Sequence, residues 1–436
     1  MNRAISRLSG LALLAGGLGF VPNQVHAQDI AIRNATILTV ANGTIENGTV
    51  VVRNGKITAV GANVQVPEGV QVIDGQGMYV MPGIIDAHSH AGLEGGINEG
   101  AESVTPEVQV RVNADDLTLY RALAGGSTAS LALHGSANTI GGQGAIIKHR
   151  WGSPAEDMMF EGAPRIVKFA LGENVTRASS SAPDDERRYP KSRMGVEQTL
   201  RWWFTEAKKY DEAWKAYEAA AQRNRDLVPP ARNLRLEALR DIMAGRILVH
   251  AHSYRADEIL MLMRVAEDFG FRINTFQHIL EGYKVADELA EHGAMASTFA
   301  DMWAYKVEAY DAIPHNMAIM SSRGVVVSVN SDSGERIRRL YQEAAIGMKY
   351  GGMSENDALK MITLHPAMQL GVEDRVGTIE VGKDADLAVF NGHPFAPASR
   401  VEKTIVDGKV LFDRATAMTL EKLLQQRTRT TTEDGS

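Results

Sequence analysis

The 436-residue chain contains no cysteine. That excludes disulfides and any thiolate metal site, so a bound metal would need histidine, carboxylate or modified-lysine ligands. There is no basic surplus either. The formal net charge is −7, which argues against a nucleic-acid partner. Beyond residue 27 no run is long and apolar enough to cross a bilayer. No Gly-Lys-Ser/Thr follows the glycine-rich stretch Gly141-Gly142-Gln143-Gly144, so a phosphate-cradling loop is excluded. No activated serine or cysteine nucleophile is on offer.

What is present is enough apolar sequence, 44%, for a large core with room for a barrel and a smaller domain. Residues 1–27 read as a secretory signal. Arg3 and Arg7 precede an apolar stretch from Leu11 to Val21, and Val25-His26-Ala27 is a small-residue cleavage pattern. The expected location is periplasmic or secreted, with no stable membrane insertion once the segment is removed.

Residues 28–80 alternate short strands with the turn dipeptides Asn42-Gly43, Asn47-Gly48 and Asn54-Gly55. Residues 366–426 do the same, around Asp407-Gly408 and the run from Gly377 to Phe390. The two ends are expected to form one composite β-sandwich, with a polar, flexible tail over 427–436. Residues 81–365 alternate apolar strands with helices, which predicts an α/β fold, a (β/α)₈ TIM barrel. Expected strands are Val80 to Ile85, Ala129 to Leu133, Arg165 to Ala170, Ile247 to His250, Ile273 to Gln277, Ala294 to Ser297 and Val325 to Val329, leaving one unseen. A charged helical insertion, about 177–246, carries Trp202, Trp203, Phe204, Tyr210, Trp214 and Tyr217. It is read mainly as helices packing on the barrel, with a lid contribution.

Chemistry collects at the ends of these strands. His88 and His90 sit i, i+2 on a strand, which puts both imidazoles on one face about 7 Å apart along the chain. His250 and His252 repeat the spacing. His278 ends the next strand and Asp332 a later one. Lys168 lies in an apolar strand, where an ammonium is costly; it must reach solvent or be carboxylated by carbon dioxide to an anionic, two-oxygen ligand. Each residue alone has a bland reading, but together they put donors at successive strand ends.

These stretches resemble the amidohydrolase superfamily over nearly the whole mature length. Pro82-Gly83-Ile84-Ile85-Asp86-Ala87-His88-Ser89-His90 is similar to the family's first-strand motif. Val249-His250-Ala251-His252, Gln277-His278 and Val329-Asn330-Ser331-Asp332 are similar to those of strands 5, 6 and 8. Gly377 to Leu387 resembles the closing sandwich motif. The resemblance implies a metal-dependent hydrolase of an amide or peptide C–N bond, of the dipeptide or N-acyl amino acid class. It also implies two divalent ions per chain, zinc by default with other transition metals open. His88, His90 and Asp332 would hold the inner ion, His250 and His278 the outer one, and carboxylated Lys168 would bridge them. His252 is then expected above His250 toward substrate, with the reverse order as the alternative. A metal-bridging hydroxide would attack, and Asp332 would carry its proton to the leaving nitrogen.

Candidate substrate contacts are His134, in a glycine-rich loop, and Tyr254 with Arg255, placed as in the Xaa-Pro dipeptidase-like branch to take a carboxylate. Arg177 is a similar candidate. The expected partner is a small molecule or short peptide, and a homo-oligomer is left open. A mononuclear deaminase or cyclic-amide hydrolase related to imidazolonepropionase is the enzymatic alternative. Against it, Ala251-His252-Ser253-Tyr254 lacks the glutamate that deaminases of the superfamily carry there. The non-enzymatic alternative is a periplasmic binding protein.

Overall fold

The structure, a computed structural model, describes residues 29–93, 102–176, 188–419 and 422. The expected signal segment, the 427–436 tail and Arg177 lie outside the described residues.

The two ends of the chain pair as the alternation suggests. One hydrogen-bonded path runs Lys409–Asp413, Val401–Val406, Leu387–Phe390, Tyr79–Pro82, Ile30–Leu38, Thr44–Arg53 and Lys56–Gly61, with Gln71–Asp74 also on Ile30–Leu38. The composite is thus one continuous sheet, joined where Leu387–Phe390 lies antiparallel to Tyr79–Pro82. Its own core holds Ile30, Ile32, Val50, Val52, Leu387 and Ile405.

Turn chemistry sets the register. Asn54 and Gly55 both take positive φ, 50° and 76°, as do Asp407 and Gly408 at 49° and 74°; two-residue hairpins require this. Asn47-Gly48, expected as a turn, lies inside the Thr44–Arg53 strand at a register shift. A Cβ on Gly48 would come within 2.6 Å of Ile37 Cδ1, so the glycine serves a close strand contact instead.

The run expected as one strand from Val80 to Ile85 is two. Tyr79–Pro82 belongs to the composite sheet and Ile84–Ser89 to a second sheet beside Ser127–Ala132. Gly83 is the joint. Its N–H donates to Asp386 O at 2.8 Å, and a Cβ there would lie 2.1 Å from Thr128 Oγ1.

Parallel strands then carry the site. Ile84–Ser89 pairs with Ser127–Ala132. Arg165–Ala170, Ile247–His252, Thr275–His278, Met295–Thr298 and Val327–Val329 form a parallel series. The two groups meet where Asp332 N–H donates to His88 O at 3.0 Å. The glycine-rich stretch, read as a loop, contains a buried strand, Ile140–Gln143, antiparallel to Arg165–Ala170. Gly141 permits this, since a Cβ there would strike the His134 ring at 2.3 Å. In the insertion, the 29-residue helix Arg193–Ala221 turns Leu200, Phe204 and Ala207 inward. Phe204 stacks on Phe271 at 4.5 Å, while Trp202 stays exposed.

A buried ion cluster joins the composite sheet to the parallel strands. Lys148, fully buried, reaches Asp384 at 2.7 Å, Asp386 at 3.2 Å and Asp407 at 2.5 Å. Arg375 and Lys56 also pair with Asp384, and Arg150 with Asp407. Removing one partner from a buried ion group strands the others, so Lys148→Met should cost about 3–5 kcal/mol. Urea unfolding measures this, and a loss below about 1 kcal/mol would show the cluster to be dispensable.

His149 next to it is buried between Ser127 O, 3.0 Å from Nδ1, and Ser130 Oγ, 2.9 Å from Nε2. Burial pushes its pKa down to about 4. The fold holds it neutral while the unfolded chain protonates it near 6.5. Its contribution is therefore complete above that pH and is lost as the pH falls toward 4, by on the order of 3 kcal/mol. A His149→Gln variant should show a shallower fall of Tm between pH 6.5 and 4 than the parent chain; an unchanged slope would exclude this residue as a source.

Candidate metal centre

Asp332 is the hub of the site. Its Oδ1 lies 3.0 Å from His90 Nε2, 3.2 Å from His88 Nε2 and 3.6 Å from His278 Nε2. His88, His90 and Asp332 bring donor atoms within 4.8 Å of one another. His88 and His278 are fully buried, whereas His90 and Asp332 are 33% and 27% exposed, so the cluster opens to solvent on their side. Lys168 Nζ sits 3.0 Å from His88 Nε2 and donates to His134 O at 2.7 Å.

Two backbone features aim these groups. His278 and Asp332 both have positive φ, 64° and 46°, which costs a non-glycine residue on the order of 1–3 kcal/mol. Asp86, in the first-strand motif, receives N–H bonds from His88 at 3.1 Å and Ser331 at 3.2 Å. It thereby ties the His88 and Asp332 strands together. Burial pushes Asp86 up to about 7 against the lowering effect of these bonds.

The electrostatics favour neutral imidazoles around one carboxylate. Burial first, then the Lys168 ammonium, holds His88 well below its ordinary pKa. Burial pushes His278 down to about 4 and lowers His252 strongly. Burial alone would raise Asp332, but the electrostatic influence of His278 and His88 and the close side-chain contacts with His88 and His90 outweigh it and hold its pKa well below the carboxylate range.

The second histidine pair departs from the expected order. His250 was read as the ligand, but its ring is engaged elsewhere, with Nδ1 2.8 Å from Gln277 Nε2 and Nε2 3.1 Å from Gln369 O. Lys168 and His250 are register partners on adjacent strands, yet the imidazole points into the polar core beneath the site. His252 lies 4.9 Å, ring to ring, from His278, with neither ring nitrogen bonded among the described residues. Strand alternation cannot explain the difference, since i and i+2 share a face. Height along the strand does: His250 sits below the open ends and His252 at them.

The expected substrate contacts are also revised. His134 is sealed into its own loop, its ring nitrogens 2.6 Å from Gly135 O and 3.1 Å from Gly142 O; its carbonyl, facing Lys168, is the part that reaches the site. Arg255 pairs with Asp257 at 2.9 and 3.1 Å. Tyr254 does reach the site, stacked on His278 at 6.1 Å and edge-on to His252 at 4.7 Å. Sequence reasoning missed Phe299, stacked on His278 at 4.6 Å, and Tyr305, whose hydroxyl meets that of Tyr254 at 2.5 Å. Neither has a motif signal.

These donors fit a metal. His90 Nδ1 lies 2.6 Å from Leu133 O, an acceptor, so the Nδ1–H points there. Its Nε2 then faces the Asp332 carboxylate with a lone pair, unless a second proton or a cation lies between. The nitrogens of His252 and His278, without hydrogen-bond partners among the described residues, make the same demand.

Comparison with known proteins gives the lineage. The amidohydrolase family profile matches residues 233–411. The crystal structure of an amidohydrolase from Thermotoga maritima superposes with a TM-score of 0.80 at 34% identity, covering 88% of this chain and 100% of that one. The chain belongs to the amidohydrolase family. Amidohydrolase tasK of Hapsidospora irregularis is 30% identical over 84% of this chain, which spans only 40% of that protein's length. The 5'-deoxyadenosine deaminase of Methanosarcina acetivorans is 26% identical over 91% of this chain and 96% of its own. Amidohydrolases typically bind divalent metals and act on C–N bonds.

In this amidohydrolase the two strand histidines should separate cleanly by mutation. His252→Ala should lower the bound metal per chain with the fold retained. His250→Ala should keep the metal but lose about 1–2 kcal/mol of stability, since the Gln277 amide keeps its bond to Ala87 O but loses one of its two acceptors. Metal analysis with urea unfolding reads both, and the opposite pattern would restore His250 as the ligand.

Proposed function

We propose that the protein is an exported, metal-dependent hydrolase of an amide or peptide C–N bond, built on a (β/α)₈ barrel. The observation that carries this reading is the His90–Asp332 contact, an imidazole nitrogen and a carboxylate held 3.0 Å apart where a cation belongs. His88, His90 and Asp332 would hold one ion. His252 and His278 would hold a second, with Lys168, carboxylated by carbon dioxide, as the shared anionic ligand. When bound, zinc or another divalent cation supplies Lewis acidity for a carbonyl and acidifies water. The chain's own contributions are separate. Asp332, kept ionised, accepts a proton from the attacking water and returns it to the departing nitrogen. Asp86 fixes the spacing of the two strands that carry these groups, and Tyr254 and Phe299 wall the histidines from solvent. Dipeptides and N-acyl amino acids, with cyclic amides, are the first substrates to test. Export rests on the charge and hydrophobic pattern of residues 1–27.

The second reading, a mononuclear deaminase or cyclic-amide hydrolase, is favoured by two observations. The deaminase relative matches over nearly its full length, and among the described residues the tight group of histidine and carboxylate donors has three members.

Metal stoichiometry and Lys168 decide between them. Two ions per chain are expected, and Lys168→Ala should abolish hydrolysis by about a hundredfold or more, with partial rescue by acetate or propionate. One ion per chain with unmodified Lys168 would select the second reading. A metal-replete protein inert toward every amide tested would overturn the hydrolase assignment.

A further inference from the structure

We infer that His134 is a positioning residue: its buried imidazole fixes two successive main-chain carbonyls, Leu133 O and its own, against His90 and Lys168, and so orients an inner-ion ligand and the bridging lysine together. This rests on the two-ion hydrolase reading above.

Leu133 and His134 directly follow the Ser127–Ala132 strand. Leu133 N–H donates to Ser89 O at 3.0 Å, and Leu133 O lies 2.6 Å from His90 Nδ1. One residue on, His134 O accepts from Lys168 Nζ at 2.7 Å. Successive carbonyls thus serve two side chains carried by different strands. A histidine that ligates a metal commonly gives its other ring N–H to such a carbonyl, which fixes its tautomer and orientation. Leu133 O stands in that relation to His90. Carboxylation of Lys168 joins the neutral amine nitrogen to the carbon of carbon dioxide and releases one proton, leaving one N–H on Nζ. His134 O is placed to accept that N–H, which leaves the two carbamate oxygens for cations.

The His134 ring is what holds these carbonyls. Its nitrogens lie 2.6 Å from Gly135 O and 3.1 Å from Gly142 O. An imidazole carries at least one N–H in any protonation state, so at least one of these oxygens receives a bond. Gly142 lies on the Ile140–Gln143 strand, which pairs with the Arg165–Ala170 strand that carries Lys168. The ring also fills the space a side chain would take at Gly141, its Cε1 2.3 Å from where that Cβ would stand. Seated there at 2% exposure, the ring pins the main chain that carries both carbonyls.

The test compares four variants with the parent chain, each loaded with zinc in isotope-labelled bicarbonate. Competition with a chromophoric chelator reads zinc affinity, NMR reads the labelled carbamate carbon, and circular dichroism checks the fold. His134→Leu, which fills the space without an N–H, should weaken zinc binding about 10–100-fold, the usual effect of losing an outer partner of a metal ligand. Its carbamate signal should fall as well. His134→Ala should behave alike and takes its place if leucine distorts the fold. His134→Asn and His134→Gln keep an amide N–H for Gly135 O or Gly142 O, so one of them should recover most of the affinity. Parent-like zinc affinity and carbamate in His134→Leu or His134→Ala overturn the inference; a raised KM alone would make His134 a substrate contact instead. Equal weakening in all four variants, or loss of folding in all four, overturns it too, since His134 is then a core residue without a positioning role. If the parent chain shows no carbamate, the two-ion reading falls, and zinc affinity at His88, His90 and Asp332 still decides the inference through Leu133 O. A parent chain that binds no zinc overturns both.

Discussion

The ammonium of Lys148 among three aspartates is the constraint on which the rest of the structure depends. A fully buried lysine is tolerable only if its charge is met at close range, and here the partners come from the far end of the chain. Asp384, Asp386 and Asp407 belong to the composite sheet, and Lys148 ends a strand paired with Ser127–Ala132. That pairing carries over to the His88 strand. Asp386 acts twice, since its carbonyl also takes the Gly83 N–H at the point where the chain leaves one sheet for the other. The height at which His88 and His90 emerge is thus set by a charge cluster that never touches them. Burial raises Asp386 to about 6 while the Lys148 charge opposes it, which shows how closely the two effects are balanced at this joint.

At the other end of the same strand the balance is left open. Backbone energy goes into holding His278 and Asp332 at positive φ, and the return within the protein is three imidazole contacts to one carboxylate, at 3.0, 3.2 and 3.6 Å, with several ring nitrogens lacking partners among the described residues. Strain of that kind persists where the surroundings over-determine it. Asp86 and the N–H groups of His88 and Ser331 supply the over-determination, because they clamp the first and last strands of the series to one carboxylate.

Much of this was legible in the sequence. Strand ends carrying His88, His90, Lys168, His278 and Asp332 could be read from apolar runs and spacing, and so could the paired ends of the chain, from Asn54-Gly55 and Asp407-Gly408. What could not be read depended on three-dimensional height or on residues without a pattern. His250 and His252 have the same neighbours and the same face; only the Gln277 and Gln369 contacts, drawn from distant segments, distinguish the core histidine from the site histidine. The pairing of Arg255 with Asp257, two residues on at a helix start, has no pattern of its own in the sequence. Tyr305 and Phe299 sit in irregular sequence, where periodicity carries no signal. The split at Gly83 was hidden because both halves are apolar.

The two clusters bear on each other. This chain satisfies a buried ammonium with three carboxylates and backs those with Arg150, Arg375 and Lys56. A fold so strict about buried charge gains nothing structurally by leaving both nitrogens of His252 and His278 without a hydrogen bond among the described residues, a few ångströms from a carboxylate. Apolar side chains of similar size would fill that space at lower cost. On the proposed reading, a divalent cation completes the imidazoles. Their neutrality, imposed by burial, is the protonation state in which an imidazole can donate a lone pair to a cation. The same low dielectric that makes the cluster costly without a cation would strengthen its hold on one.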